Sequence, residues 1–247
     1  MLLPISIVAS SIAAVATTTY YATYAVRSQW LGHTIWRGRT DTDEVALTFD
    51  DGPSEDTQEL LDTLEELKLK ATFFMIGQNV EQHPRIARRV AEAGHQIGNH
   101  SYSHPIFLYR SAHETTQQLC HAQRVIAETT GVQPQFARPP CGVRTPAYFA
   151  ATRDLNLRTI QWSDTGFDWK HRHAESIARD AVRRARGGSI ILLHDGDTAR
   201  KQNRKQTVAA VPLIVSHLKS RRLSVASLDR LLELKTQTQF ATQQTNA

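Results

Sequence analysis

Short apolar, β-prone runs alternate along this chain with stretches of helical periodicity, and nearly every run stops at a breaker or a polar cluster. Val45-Ala46-Leu47-Thr48-Phe49 ends at Asp50-Asp51-Gly52-Pro53, and Ala71 to Ile76 stops at Gly77. His95 to Gly98 leads to His100, and Phe136-Ala137-Arg138 runs into Pro139-Pro140-Cys141-Gly142. Leu157 to Trp162 reads as a further strand. Ser189 to Leu193 is the clearest, ending on His194. Between them, Leu60, Leu61, Leu64 and Leu67 repeat at helical spacing behind Ser54, a residue able to cap a helix. Further helices are expected near 84–93, 111–129, 145–154, 174–186, 206–219 and 226–235. Alternation of this kind predicts parallel βαβ units in one α/β domain, as a doubly wound sheet or a β/α barrel. In both folds chemistry collects at the C-terminal ends of the strands. Asp50, Asp51, His100, Arg138, Asp168 and His194 all follow predicted strands.

Composition narrows the class. Of 247 residues, 40% are hydrophobic and 21% charged, which excludes a disordered chain, a collagen-like repeat and a multi-span membrane protein. Two cysteines, Cys120 and Cys141, cannot build a disulfide framework, and unpaired thiols are the expected state. The net charge of +5 is mild. Much of it lies in Arg85/Arg88/Arg89, Arg183/Arg184/Arg186 and Arg200/Lys201/Arg204/Lys205, read as solvated helix faces. No aromatic-interleaved basic platform points to nucleic acid.

Residues 1–26 carry no charged side chain. The stretch is long enough to cross a hydrocarbon core of about 30 Å as a helix, and Tyr20, Tyr21, Tyr24 and Arg27 fit an interfacial belt. The expectation is a signal peptide, with Ala14-Val15-Ala16 as a cleavage site, or an uncleaved signal-anchor giving membrane attachment. Arg27, following an uncharged span, biases the body toward the cytoplasm, against the export inferred below. A connecting segment over 27–42, one domain over 43–235 and a disordered Gln/Thr-rich tail over 236–247 complete the expected organisation.

The polar clusters make a chemical set. His100 and His104 stand four apart, a spacing that on a helical turn puts both imidazoles on one face. With one carboxylate, Asp51, they suit a divalent transition metal, leaving Asp50 as general base.

The sequence resembles the NodB-homology polysaccharide deacetylases, carbohydrate esterase family 4, whose five motifs occur in order across roughly residues 43–232. The resemblance implies a distorted (β/α) barrel of about seven parallel strands. Thr48 to Pro53 matches the first motif, with Asp50 as base and Asp51 as metal ligand. His100-Ser101-Tyr102-Ser103-His104 matches the second, supplying two histidine ligands. Arg138-Pro139-Pro140-Cys141-Gly142 matches the third, where Arg138 orients the base and the backbone N–H at Cys141 binds the oxyanion. Asp168-Trp169 matches the fourth, Asp168 holding the catalytic histidine and Trp169 walling the acetyl pocket. Asp164 stands four residues upstream as an alternative carboxylate. Leu192-Leu193-His194-Asp195 matches the fifth, with Leu192 lining the pocket and His194 as general acid. Cys141 departs from the family, which usually has an aromatic there.

The implied activity is metal-dependent removal of acetyl groups from N-acetylated sugars of a polysaccharide: peptidoglycan, chitin-like oligomers or poly-N-acetylglucosamine. Zinc is the default ion, with cobalt, nickel or manganese as alternatives. O-acetyl ester cleavage on a glycan such as xylan, or a non-catalytic glycan-binding relative, are the competing readings. Location in the cell envelope or outside the cell follows from such a substrate.

Overall fold

The computed structural model describes residues 3–170, 172–198 and 202–232, with side chains from residue 13 onward. A first helix, α1 (Leu3–Tyr24), precedes the body. The central strand β1 (Glu44–Asp50) is followed by α2 (Asp56–Glu66), β2 (Thr72–Met75), α3 (Gly77–Gln82), α4 (Pro84–Glu92) and β3 (Gln96–Asn99). Next come α5 (Ala112–Thr130), β4 (Phe136–Ala137), α6 (Pro146–Asp154), β5 (Arg158–Thr159) and β6 (Asp164–Thr165). The chain continues through α7 (Ala174–Val182), β7 (Ile190–His194), α8 (Lys205–Ser220), β8 (Ser224–Val225) and α9 (Leu228–Leu231).

Seven strands form one parallel sheet in the order β5-β4-β3-β2-β1-β7-β6, and β8 adds to the N-terminal end of β1. The sheet curls into a half-barrel, the expected distorted (β/α) barrel. Its open side is bridged by residues 35–38, inside the expected connecting segment. Ile35 donates to Thr159 O at 2.9 Å and accepts from Gln161 N–H at 2.7 Å, while Gly38 donates to Gly188 O at 2.7 Å.

Alternation along β1 decides what each side chain meets. Val45, Leu47 and Phe49 face the helix layer, where Phe49 stacks on Phe73 at 5.4 Å. Burying such a side chain is worth about 1.5–3 kcal/mol. Ala46 faces the barrel interior with Phe74, Phe136, Ile160 and Ile190, and Leu228 and Leu231 of α9 close its lower end. Register aligns the strand ends, since Asp50 lies beside both Phe74 and His194, and Asn99 beside Ala137. Polar residues that leave these ends therefore gather at one rim.

Several local expectations change. The run Leu157–Trp162 forms a strand only at Arg158–Thr159: Ile160 N–H still donates to Ala137 O at 2.8 Å, but Thr159 O and Gln161 N–H bond the bridging segment at Ile35. The two-residue strands β6 and β8 are too short to show periodicity. Ser54 does not cap α2; its hydroxyl donates to Asp195 O at 2.5 Å. Ser111 does cap α5, in a reciprocal box with Glu114. Cys120 and Cys141 are free and exposed. Among the described residues no helix is long and apolar enough to cross a membrane. The tail 236–247 lies outside the described residues.

Candidate active site

Asp50 ends β1 in extended backbone, whereas Asp51 takes a left-handed φ of 73°. The two adjacent carboxylates nevertheless converge on His100, whose Nε2 lies 3.6 Å from Asp50 Oδ2 and 3.4 Å from Asp51 Oδ1, and they differ in their other partners. Asp50 Oδ1 accepts from Arg138 Nη1 at 2.7 Å. Asn79 holds the turn by donating to Asp51 O at 2.7 Å.

His100 follows β3. Its Nδ1 donates to Arg138 O at 2.7 Å, which fixes the ring and leaves Nε2 to face the carboxylates. His100 Nε2 lies 3.4 Å from Asp51 Oδ1, and His104 Nε2 lies 3.3 Å from the same oxygen. The two imidazoles do not converge on a helical turn. Residues 100–104 form an irregular loop in which Ser101 (φ 67°) and His104 (φ 57°) are both left-handed, folding the second ring back to 4.9 Å from the first.

The three groups fit a metal ion. Their ligand atoms all lie within 4.8 Å of one another, and Asp51 Oδ1 is buried with no hydrogen-bond partner. An orphaned buried carboxylate oxygen between two imidazole nitrogens is costly without a cation, and the donor set suits zinc and its first-row neighbours. Burial pushes the Asp51 carboxyl up, but His100, His104 and His194 outweigh it and hold it below the usual range. Burial drives His104 down to about 4, toward the neutral form that ligates metal.

Arg138 is fully buried and organises the rim from within. Beyond Asp50 it donates to Thr48 Oγ1 at 2.8 Å and Gln161 O at 3.0 Å, and its guanidinium lies 4.1 Å from the Phe74 ring centroid. Opposite stands His194, whose Nδ1 lies 2.9 Å from Asp168 Oδ1. Asp168 Oδ2 accepts from the His194 backbone N–H at 2.7 Å and from Thr207 Oγ1 at 3.0 Å. Burial works against the His194 imidazolium, but the Asp168 charge and the nearby Asp51 and Asp50 raise it to about 9. Asp164 faces elsewhere and accepts from Ser163 Oγ at 2.6 Å.

The remaining expected residues line the same rim. Trp169 is 38% exposed and sets its ring edge-on to His194 at 5.4 Å, with Phe167 behind it at 5.5 Å. Leu192 is buried beside Thr48 on β7. Cys141 occupies a 3-10 turn, Pro140–Gly142, with a left-handed φ of 54°. Gln161 Nε2 steadies that turn by donating to Gly142 O at 3.0 Å.

Several supports carry no role that the sequence assigns. Thr207 comes from α8, far along the chain from the carboxylate it serves. Asp195 lies fully buried beneath the Asp51 turn, where burial pushes its carboxyl up to about 7 and Thr57 Oγ1 donates to it at 2.7 Å. Thr48 and Gln161 were part of expected strands, but nothing marked them as partners of Arg138.

Comparison with known proteins agrees with this geometry. Residues 37–160 match the family model described as Polysaccharide deacetylase. The chain is 36% identical over 194 residues to the peptidoglycan-N-acetylglucosamine deacetylase PgdA of Listeria monocytogenes, covering 78% of this chain and 40% of that one. It is 34% identical over 207 residues to a peptidoglycan-N-acetylglucosamine deacetylase of Bacillus cereus, covering 83% of this chain and 95% of the relative. The crystal structure of the Bc1960 peptidoglycan N-acetylglucosamine deacetylase superposes with a TM-score of 0.77 at 33% identity, over 82% of this chain and 94% of that one. With its motif residues gathered on one rim of the half-barrel, the chain belongs to the polysaccharide deacetylase family.

Proposed function

We propose that this protein removes acetyl groups from the N-acetylated sugars of an envelope polysaccharide, in a metal-dependent hydrolysis. One observation carries the reading: the Asp51–His100–His104 cluster shares its rim with a carboxylate held by Arg138 and a histidine held by Asp168. Asp51, His100 and His104 would hold a divalent ion, which would supply Lewis acidity toward the acetamide carbonyl and lower the pKa of water. Asp50 accepts the proton of the attacking water, with Arg138 fixing which oxygen faces the substrate. The backbone N–H of Cys141 donates to the oxyanion as the carbonyl becomes tetrahedral. His194 then protonates the leaving amine, since an amide nitrogen departs poorly without a proton, and Asp168 keeps that imidazole oriented and charged. Trp169 and Leu192 bound the space for the acetyl methyl, and Cys141, in place of an aromatic ring, widens the groove beside it.

The Listeria and B. cereus relatives support N-acetylglucosamine of peptidoglycan as the first substrate to test, and with it a catalytic body outside the cytoplasm. Residues 1–26 serve export or attachment in that reading. The deciding experiment strips the protein of metal and reloads it with zinc, cobalt, nickel or manganese. Acetate release is then followed from peptidoglycan fragments, chitin oligomers, poly-N-acetylglucosamine and acetylated xylan. Metal-dependent release from the N-acetylated glycans is expected. Release from xylan alone would assign O-acetyl ester chemistry, and no release from any glycan by metal-loaded protein would overturn the reading.

A further inference from the structure

Arg144 is a second buried arginine, only 1% exposed, and it lies two residues beyond Gly142. Its side chain reaches the C-terminal end of α1. Nη2 donates to Ala25 O at 2.7 Å, Thr23 O at 3.2 Å and Ala22 O at 3.5 Å, and Nη1 donates to Val26 O at 3.3 Å. The backbone N–H of Arg144 also donates to Thr23 O, at 3.2 Å. Among the described residues no carboxylate lies within ion-pairing distance of it. The last turn of α1 contains no basic residue of its own, so this guanidinium satisfies the carbonyls at the negative end of the helix. Ala22 and Thr23 are correspondingly buried.

The same arginine borders the turn that presents Cys141. That turn is fastened on one side by Gln161 to Gly142 O, and Val143, between the turn and Arg144, is fully buried. A shift at Arg144 therefore passes into the Cys141 backbone with little slack. We infer that Arg144 is a positioning residue, tying the end of the N-terminal helix to the oxyanion turn, so that residues 22–26 are a working part of the catalytic body. Its kinetic consequence rests on the deacetylase reading; its structural consequence does not. Cleavage at Ala14-Val15-Ala16 would leave the tether whole, whereas loss of the chain through Val26 would leave a buried charge without acceptors.

The test uses the full chain with Arg144→Gln and Arg144→Lys. Metal content is measured, as are kcat and KM on an N-acetylated oligosaccharide and on an acetyl ester with a good leaving group. Hydrogen exchange is followed at residues 20–26 and 141–143. Arg144→Gln should keep its metal and its KM while kcat falls roughly 10–100-fold on both substrates, because an oxyanion donor serves amide and ester alike. Arg144→Lys should recover part of the loss. Exchange should quicken in both segments together. A wild-type kcat in metal-loaded Arg144→Gln, or faster exchange confined to one segment, would overturn the inference. Should Arg144→Gln not fold, Arg144→Lys decides it, since one nitrogen cannot reach four carbonyls: wild-type kcat and exchange overturn it, and lowered kcat with faster exchange in both segments supports it. If the wild-type protein releases no acetate, the functional reading fails and the exchange measurement alone decides the tether.

Discussion

Asp168 grips His194 at two points, Oδ1 against the ring Nδ1 at 2.9 Å and Oδ2 on the backbone N–H at 2.7 Å. The carboxylate thus fixes both the ring and the strand end that carries it. Thr207 occupies the remaining lone pair of Oδ2, so Asp168 is oriented as firmly as the histidine it holds.

Asp168→Asn keeps this shape and removes the charge. Burial lowers the His194 pKa, and the Asp168 carboxylate is the main group raising it to about 9. Without that charge the imidazole loses its proton at lower pH, so the high-pH limb of the rate profile should move down. An ester with a good leaving group needs little proton assistance and should slow far less than an acetamide. Asp164→Asn should do neither, because that carboxylate bonds Ser163. A profile moved by Asp164→Asn and not by Asp168→Asn would exchange their roles.

Asp50 is held by Arg138 while Asp51 Oδ1 meets both imidazoles, and these different partners predict different losses from similar changes. Asp50→Asn should retain metal by elemental analysis and lose on the order of 10²–10⁴ in kcat, the usual cost of removing a general base. Asp51→Asn should lower metal affinity itself, since its Oδ1 faces both imidazoles. Equal metal loss in both variants would refute this division.

His100→Ala and His104→Ala should each lose the ion and with it acetate release. Both should keep the far-ultraviolet circular dichroism of the metal-free wild type. The main core packs the outer face of the sheet against the helices, away from this rim, and a domain of this size needs no metal to fold. Unfolding of either variant would show that the ion site is part of the folding core.

Much of this site was legible because strand ends carry their own punctuation. Asp50-Asp51-Gly52-Pro53 and Leu193-His194 each stop a run of apolar residues, and register then brings the stops together. The His100/His104 pair was legible as a pair but not in its geometry. Two left-handed residues, Ser101 and His104, do what a helical turn was expected to do, and nothing in Ser101 advertises a positive φ. Ser54 reads as a helix cap by residue type, yet tertiary contact draws its hydroxyl to Asp195 O, a partner 141 residues away. Arg144 escapes sequence logic more completely, because its acceptors are main-chain carbonyls and any residue supplies those.

Arg138 makes a stability prediction of its own. Arg138→Met fits the volume and the Phe74 contact but leaves the Asp50 carboxylate buried without its cation. Breaking a buried pair by removing one member typically costs about 3–5 kcal/mol. Thermal unfolding of the metal-free variant should show that loss, together with loss of turnover. Arg138→Lys should not restore turnover, because one ammonium cannot span Asp50, Thr48 and Gln161 in the geometry of the guanidinium fork. A Lys variant with wild-type kcat would show that charge alone is needed there.

Gly196 shows how closely the rim is built. A Cβ at this position would stand 2.2 Å from Asp51 O and 2.5 Å from Asp51 C, both backbone atoms that no rotamer change can move away. The Asp51 turn must therefore shift if Gly196 becomes alanine, and it carries, in left-handed backbone, the carboxylate proposed to hold the ion. Gly196 itself offers no ligand and has no part in proton transfer. Gly196→Ala should nevertheless weaken metal affinity, measured by competition with a chelating dye, by about tenfold or more, as small displacements of a constrained ligand do. Asp50 shares that turn, so kcat at saturating metal should also fall. Wild-type metal affinity in a folded Gly196→Ala protein would mean that the turn yields without moving the Asp51 carboxylate, and that close packing beneath it does not set the site.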